Sequence, residues 1–117
     1  MATDPTDDRG RKAALNQSLF REVNERVLQV VDGAAIHPFI CECAHADCAS
    51  NVSMSTEEYD AVRGFPTHFV VKPGHERTDV ERVVHHANGR YVVVERFGVA
   101  GSVAVELDPR RRSKLSS

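Results

Sequence analysis

The chain has no tryptophan, two methionines and an aromatic content of 6%. A core drawn from it must be mostly aliphatic and modest. Small domains bury a smaller share of their surface, so a metal or a partner would help this one fold. No apolar run approaches the roughly 18 residues that cross a bilayer, which argues against a membrane span. The opening, Met1-Ala2-Thr3-Asp4-Pro5, lacks the basic start and apolar segment of a secretory signal. A cytoplasmic location is therefore expected. Cysteines number three, an odd count that speaks against a disulfide framework, and cytosolic thiols stay reduced.

Net charge is also small. The net formal charge is -2, unevenly spread. Arg110, Arg111, Arg112 and Lys114 make the end basic, while the middle is acidic. An acidic body is a poor binder of phosphate backbone. Nucleic acid is thus not expected as the main partner, and the one route to it would be Arg110, Arg111 and Arg112. There is no Ser-His-Asp order, no phosphate-binding glycine loop and no His-x-x-x-His pair.

What is present is concentrated. All three cysteines fall in Cys41-Glu42-Cys43-Ala44-His45-Ala46-Asp47-Cys48. Zinc favours four tetrahedral ligands drawn from thiolate and imidazole, and Cys41, Cys43 and Cys48 would supply three from one tight loop. Cys-x-Cys is tighter than the Cys-x2-Cys of common zinc fingers, so the density of thiols carries the signal. Two histidines compete for the fourth place. His45 lies inside the loop, where four ligands within eight residues would strain the backbone. His75 comes from a distant turn and would tie two regions together, so it is the favoured candidate. A filled Cys3His shell is the pattern of a structural site. Glu42, Asp47 and Glu76 are next to ligands and are candidates for contacts around the metal. The competing readings are three reduced, buried thiols without metal, and a redox pair of Cys41 and Cys43.

The length of 117 residues suits one small domain with tails. Residues 1–11 read as a disordered arm, 12–109 as the domain, and 110–117 as a basic disordered tail. From Lys12 to about Val31 the apolar residues Leu15, Leu19, Phe20, Val23, Val27, Val30 and Val31 recur at helical spacing. Arg21, Glu22, Glu25 and Gln29 take the other side, and Asp32-Gly33 supplies a stop. The wide apolar stripe is expected to pack on the domain's own sheet or on a second chain. Ala34 to Pro38 reads as a linker, Phe39-Ile40-Cys41 as a brief strand, and 49–54 as a second, with Val52 and Met54 on one face. Ser55 and Glu58 have capping-box spacing for a helix through Val62. Thr67 to Val71 is a third strand. Lys72-Pro73-Gly74-His75 reads as a turn.

Val80 to Phe97 is the clearest hairpin, folded about Asn88-Gly89. That loop pairs Arg82 with Glu95, Glu81 with Arg96, Val83 with Val94, Val84 with Val93 and Val80 with Phe97. Residues 98–107 fit a short helix or a ragged strand. His37, His68, His85 and His86 read as ordinary histidines, and Tyr59 as core.

Several of these phrases occur together in one family. Leu19-Phe20-Arg21-Glu22-Val23-Asn24-Glu25-Arg26, Phe39-Ile40-Cys41-Glu42-Cys43, Glu58-Tyr59 with Val62-Arg63, and Phe69-Val70-Val71 before Pro73-Gly74-His75-Glu76 resemble a family of small uncharacterised bacterial proteins, mainly actinobacterial. The resemblance runs from about Asn16 to Asp108. It implies Cys41, Cys43, Cys48 and His75 as the ligand set, and it implies no activity.

The expected architecture is α+β: an N-terminal helix on a small, mostly antiparallel sheet with a zinc-knuckle-like Cys3His site. The expected function is a zinc-stabilised accessory or regulatory module that binds a protein partner. Three rivals stand beside it. One is an enzyme with an open zinc position and Glu42 or Glu76 as base. Another is a nucleic-acid binder working through the Arg-rich tail. The third is a thiol redox sensor.

Overall fold

The computed structural model describes residues 5–31, 35–43 and 48–110; the side chains of residues 5–14 and 16 are outside that description. The chain runs α1 (Pro5–Val30), β1 (Ile36–Ile40), β2 (Asn51–Ser55), α2 (Thr56–Val62), β3 (His68–Val71), β4 (Glu81–His86), β5 (Val92–Arg96) and α3 (Gly98–Glu106). The fold is α+β, as the sequence implies. The single sheet expected is instead two. β1 and β2 form an antiparallel pair, and β3-β5-β4 form an antiparallel three-stranded sheet. The two are stitched together just past β1, where the Glu42 N–H donates to the Val70 carbonyl at 2.7 Å. β1 begins at Ile36, inside the stretch read as a linker, because Ile36 and His37 pair with Ser55 and Met54.

The core follows period-2 alternation on the strands. Val52 and Met54 point inward from β2 and meet Phe39, Tyr59, Val70 and Val93. Phe39 and Tyr59 stack with ring centroids 4.8 Å apart. A second cluster gathers Phe69, Val71, Val92, Val94 and Ala104 around Cys41 and Cys43. The α2 start is the expected capping box. The Ser55 hydroxyl accepts from Glu58 N–H and the Glu58 carboxylate accepts from Ser55 N–H.

Glu58 also takes two bonds from Arg90 and one from the Tyr91 hydroxyl. These ties, led by Arg90, hold its carboxyl down at about 2. A depressed carboxyl stabilises the fold above the pKa of the unfolded chain and loses that contribution as pH falls toward the folded value. Glu58→Gln is therefore expected to lower stability by roughly 1 kcal/mol near neutral pH, after allowance for solvent screening. The gap to wild type should close between about pH 4.5 and 2 in paired denaturant titrations. A gap that stays constant through that window would exclude the ion pair as its cause.

The hairpin keeps its expected register at the open end: Glu81 faces Arg96, Arg82 faces Glu95 and Val83 faces Val94. It departs at Val84, which does not pair with Val93. A bulge lies between Val83 and His85, and His85 takes the Val93 position. Asn88 (φ 50) and Gly89 (φ 80) form the turn as foreseen. However, the Ala87 N–H reaches the Tyr91 carbonyl, so the tip holds one residue more than a two-residue loop. The Val84 bulge compensates for it. Val84 is left 45% exposed.

Residues 98–106, ambiguous in sequence, are helix α3. It comes so close to β5 that a Cβ on Gly101 would stand 2.8 Å from the Arg96 carbonyl oxygen. Gly101→Ala is expected to destabilise by about 1–3 kcal/mol through this backbone clash, against a helix-propensity gain of under about 1 kcal/mol. A melting temperature at or above wild type would show that α3 can shift away.

α1 corrects two expectations. It begins at Pro5, where a disordered arm over 1–11 was expected. Proline suits a first helical position, since its missing N–H has no intrahelical acceptor there. Its inward face also departs from the one the apolar stripe suggests: Val27, with Leu28, packs on the first core cluster as expected, but the rest of the inward face is polar. Leu15, Leu19, Val23 and Val30 are exposed, while Gln17, Ser18, Arg21 and Asn24 are buried. The cause lies in the backbone groups beneath the helix. Strand ends and loops leave carbonyls that need donors when buried. Arg21 Nη1 donates to the Pro66 carbonyl at 2.7 Å and Nη2 to the Ala104 carbonyl at 2.8 Å. Asn24 both donates to the Ile40 carbonyl and accepts from the Ile40 N–H, each at 2.8 Å. The expected stop at Asp32-Gly33 lies outside the described residues.

The C-terminal end is partly tied in. Buried Arg63 pairs with Asp108 and Glu25. Arg110 donates to both Glu25 oxygens at 3.0 Å and to Asp60 at 2.9 Å. The first residue of the expected tail 110–117 is thus held against α1 and α2, and residues 111–117 lie outside the described residues. Among the described residues no helix is long and apolar enough to cross a membrane.

Candidate metal centre

The Cys41-Glu42-Cys43 segment leaves β1 and runs beside β3, anchored by Cys41 N–H to the Ser50 carbonyl at 3.0 Å and by Glu42 N–H to Val70. Side chains along extended backbone alternate. Cys41 and Cys43 therefore fall on one side and Glu42 on the other. Cys48 lies just before β2. His75 ends the turn after β3, closed by His75 N–H to the Lys72 carbonyl at 2.9 Å with Gly74 at φ 92. The positive φ is what glycine supplies in a type II turn.

These elements bring Cys41, Cys43, Cys48 and His75 together, with all ligand atoms within 4.8 Å of one another. The His75 Nδ1 stands 3.6 Å from the Cys41 sulfur and 3.6 Å from the Cys48 sulfur. A tetrahedral ion with bonds of about 2.3 Å to sulfur and about 2.05 Å to nitrogen has a sulfur–nitrogen edge of about 3.6 Å. The two edges at His75 match those of ligands around one ion. A two-iron cluster divides its ligands between two metals and spreads them more widely. The group can hold a metal ion, and Nδ1 is the atom of His75 that faces it. The other candidate, His45, lies outside the described residues, as does Asp47.

The surroundings pull the thiols in both directions. Lys72 N–H donates to the Cys41 sulfur at 3.2 Å. Without a cation, burial pushes the Cys41 thiol pKa well up, and the neighbouring sulfurs add to the rise. At Cys48 burial acts in the same direction. Donation from the Ser50 backbone and from the Cys43 thiol outweighs it and leaves that pKa below an ordinary thiol's. Three thiols packed this closely carry protons that a divalent cation would displace.

Glu42 does not reach the metal side. Its side chain is fully buried. Oε2 accepts from the Tyr59 hydroxyl at 2.6 Å and from Asn24 Nδ2 at 2.9 Å, while Oε1 accepts from Val70 N–H at 3.0 Å. Burial raises its pKa, and the Tyr59 and Asn24 bonds pull the other way. A carboxylate committed on both oxygens inside the core is not placed to act as a base at the cluster. The expectation that Glu42 contacts the metal's neighbourhood is corrected: it braces the ligand strand from behind. Glu76 is half-buried beside His75.

Among the described residues the other histidines are not part of the cluster. His68 pairs with Glu95 at 3.3 Å and stacks on Phe65, and His85 lies 6.3 Å from the Tyr91 ring. Sequence reasoning missed the brace of Gln17, Asn24, Tyr59 and Glu42. Gln17 Nε2 donates to the Glu42 carbonyl at 2.9 Å. The one available signal was the polar ridge Gln17, Arg21, Asn24 at helical spacing.

Comparison with protein-family models, with curated proteins and with solved structures gives no match.

Proposed function

We propose that the chain is a zinc-stabilised accessory module that binds a protein partner, with Cys41, Cys43, Cys48 and His75 as the ligands of a structural zinc. The observation that carries the metal half is the pair of 3.6 Å edges from His75 Nδ1 to two sulfurs. Three thiolates and one imidazole form a soft set that suits zinc over magnesium or calcium. Four protein ligands leave no open position for substrate, and Glu42, the nearest candidate base in sequence, is turned into the core. Both points weigh against a zinc hydrolase. Nucleic-acid binding through the tail is weakened because Arg110 is already paired with Glu25 and Asp60.

The partner half is supported by α1. Leu15 and Leu19, exposed by 44% and 59%, join Ser18, Glu22 and Leu107 around an apolar hollow of 370 Å³. Such a contiguous apolar surface on a small protein is a usual mark of an interaction site.

Metal content tests the reading first. Protein purified without a metal-binding tag is expected to carry one zinc per chain by elemental analysis; none would end the proposal. The partner claim is tested with Leu19→Glu, which alters the exposed ridge alone. It is expected to keep its zinc and melting temperature while losing its bound protein in a cross-linking comparison with wild type. Identical cross-linked species from both would remove α1 as the contact.

A further inference from the structure

A helix turns by about 100° per residue. On α1 this puts Gln17, Arg21, Asn24 and Leu28 on one side, the side seated on the fold. Leu15, Leu19, Glu22, Val23, Arg26 and Val30 gather on the opposite side, and all but the half-buried Glu22 are exposed. Val30 is the barest of them, at 78%. Successive members of this outer ridge are 4, 3, 1, 3 and 4 residues apart, so the spacing reads the same from either end. An isologous contact requires one patch to fit itself after a half-turn. A helix ridge with palindromic spacing meets that requirement when the two helices run antiparallel. The ridge also carries one acid and one base, Glu22 and Arg26, a turn apart.

We propose that the partner of α1 is a second copy of this chain, paired antiparallel through α1 about a two-fold axis between Glu22 and Val23. The inference rests on the partner reading of α1 above and names the partner. In this register Leu15 faces Val30 of the second copy, Val23 faces its own counterpart, and Leu19 faces Arg26. The aliphatic stem of Arg26 covers Leu19 while its guanidinium stays at the rim. The two Glu22 residues meet near the axis. Each then lies between Arg26 of its own chain, four residues on, and Arg26 of the second copy. Two acids and two bases alternate there, so the charges at the centre of the contact complement one another. The apolar hollow of 370 Å³ lies on the Glu22 flank of the ridge, and Arg26 and Gln29 of the second copy fall over it. The strands and the core lie beneath the other face of α1, so the two helices can approach without displacing them.

The test is sedimentation equilibrium on the full chain as purified. The wild type is expected to sediment at twice the 12.9 kDa chain mass in the upper micromolar range, and Leu19→Glu at the chain mass. Glu22→Arg leaves four positive charges around the axis, and Arg26→Glu leaves four negative ones. Each alone is expected to weaken self-association by at least about tenfold. Neither residue belongs to the cysteine cluster or to the brace behind it, so circular dichroism and metal content are expected to match the wild type. Mixed in equal amounts, the two variants set a positive ridge against a negative one and are expected to restore a dimer with one chain of each. A misfolded variant would not regain its partner in this way. A wild type that stays at the chain mass, a dimer indifferent to all three substitutions, or two variants that fail to rescue each other would overturn the self-pairing. A wild-type monomer that still loses a different protein in the Leu19→Glu cross-linking comparison would overturn it while leaving the partner reading of α1 intact. A monomer whose cross-linked species are unchanged by Leu19→Glu would overturn both.

Discussion

His75→Ala is expected to lose zinc and to melt far below the wild type. On the zinc proposal the substitution removes one of four ligands, and it is the one drawn from outside the cysteine loop. A mutated partner around a metal ligand typically costs 10–100-fold in affinity, and removal of the ligand itself should exceed that range. A ligand held at about 1,000 times its dissociation constant stabilises the folded state by about 4 kcal/mol. For a domain of this size that corresponds to about 15–30 °C in melting temperature. Thermal melts in buffered zinc, with and without chelator, check it. Chelator should bring the wild type down to the level of His75→Ala and should leave the variant unchanged. A variant that keeps full zinc and an unchanged transition would show that the fourth ligand lies elsewhere.

Glu42→Leu carries the second large effect, for a reason that does not involve the metal directly. The carboxylate is the shared acceptor for the Tyr59 hydroxyl, the Asn24 amide and the Val70 N–H, all inside the protein. Leucine fills similar space but leaves the Tyr59 hydroxyl and the Val70 N–H unpaired, while the Asn24 amide keeps the Ile40 carbonyl; each buried donor left unpaired costs about 1–3 kcal/mol. A loss of about 3–5 kcal/mol is expected, the range for breaking a buried charged contact. Tyr59→Phe alone removes one donor and should cost about 1–2 kcal/mol. In the Glu42→Leu background that same change should cost close to nothing, because the acceptor is already gone. Urea titrations at saturating zinc give all four corners of the cycle. Additive costs would mean that Tyr59 and Glu42 do not act as one unit.

The hairpin was readable in outline because its charges and apolar residues match across the strands. Glu81 opposite Arg96 and Arg82 opposite Glu95 leave little choice of register at the open end. The bulge at Val84 was not readable, since valine at 83 and 84 fits either face and the extra residue at the tip has no sequence mark. The ligand set stood out because cysteine is absent elsewhere and a turn motif places His75. The error on Glu42 was avoidable: Cys-x-Cys on extended backbone already sends the middle residue to the opposite face. The error on α1 was harder to avoid. Periodicity records where the apolar residues recur, and α1 turns Leu15, Leu19, Val23 and Val30 of that stripe outward. What it buries is decided by carbonyls of Ile40, Glu42, Pro66 and Ala104, which no local pattern announces.

That choice of buried face sets the order of events during synthesis. α1 leaves the ribosome before the strands it packs on, and most of its apolar stripe is not the face that it buries. Its acceptors are translated over a long interval. Ile40 and Glu42 come early, Pro66 later, and the Ala104 carbonyl lies 83 residues beyond Arg21. This helix is therefore among the last elements of the fold to be seated. Until Ala104 has emerged, Arg21 is a solvated cation on a helix waiting for its place.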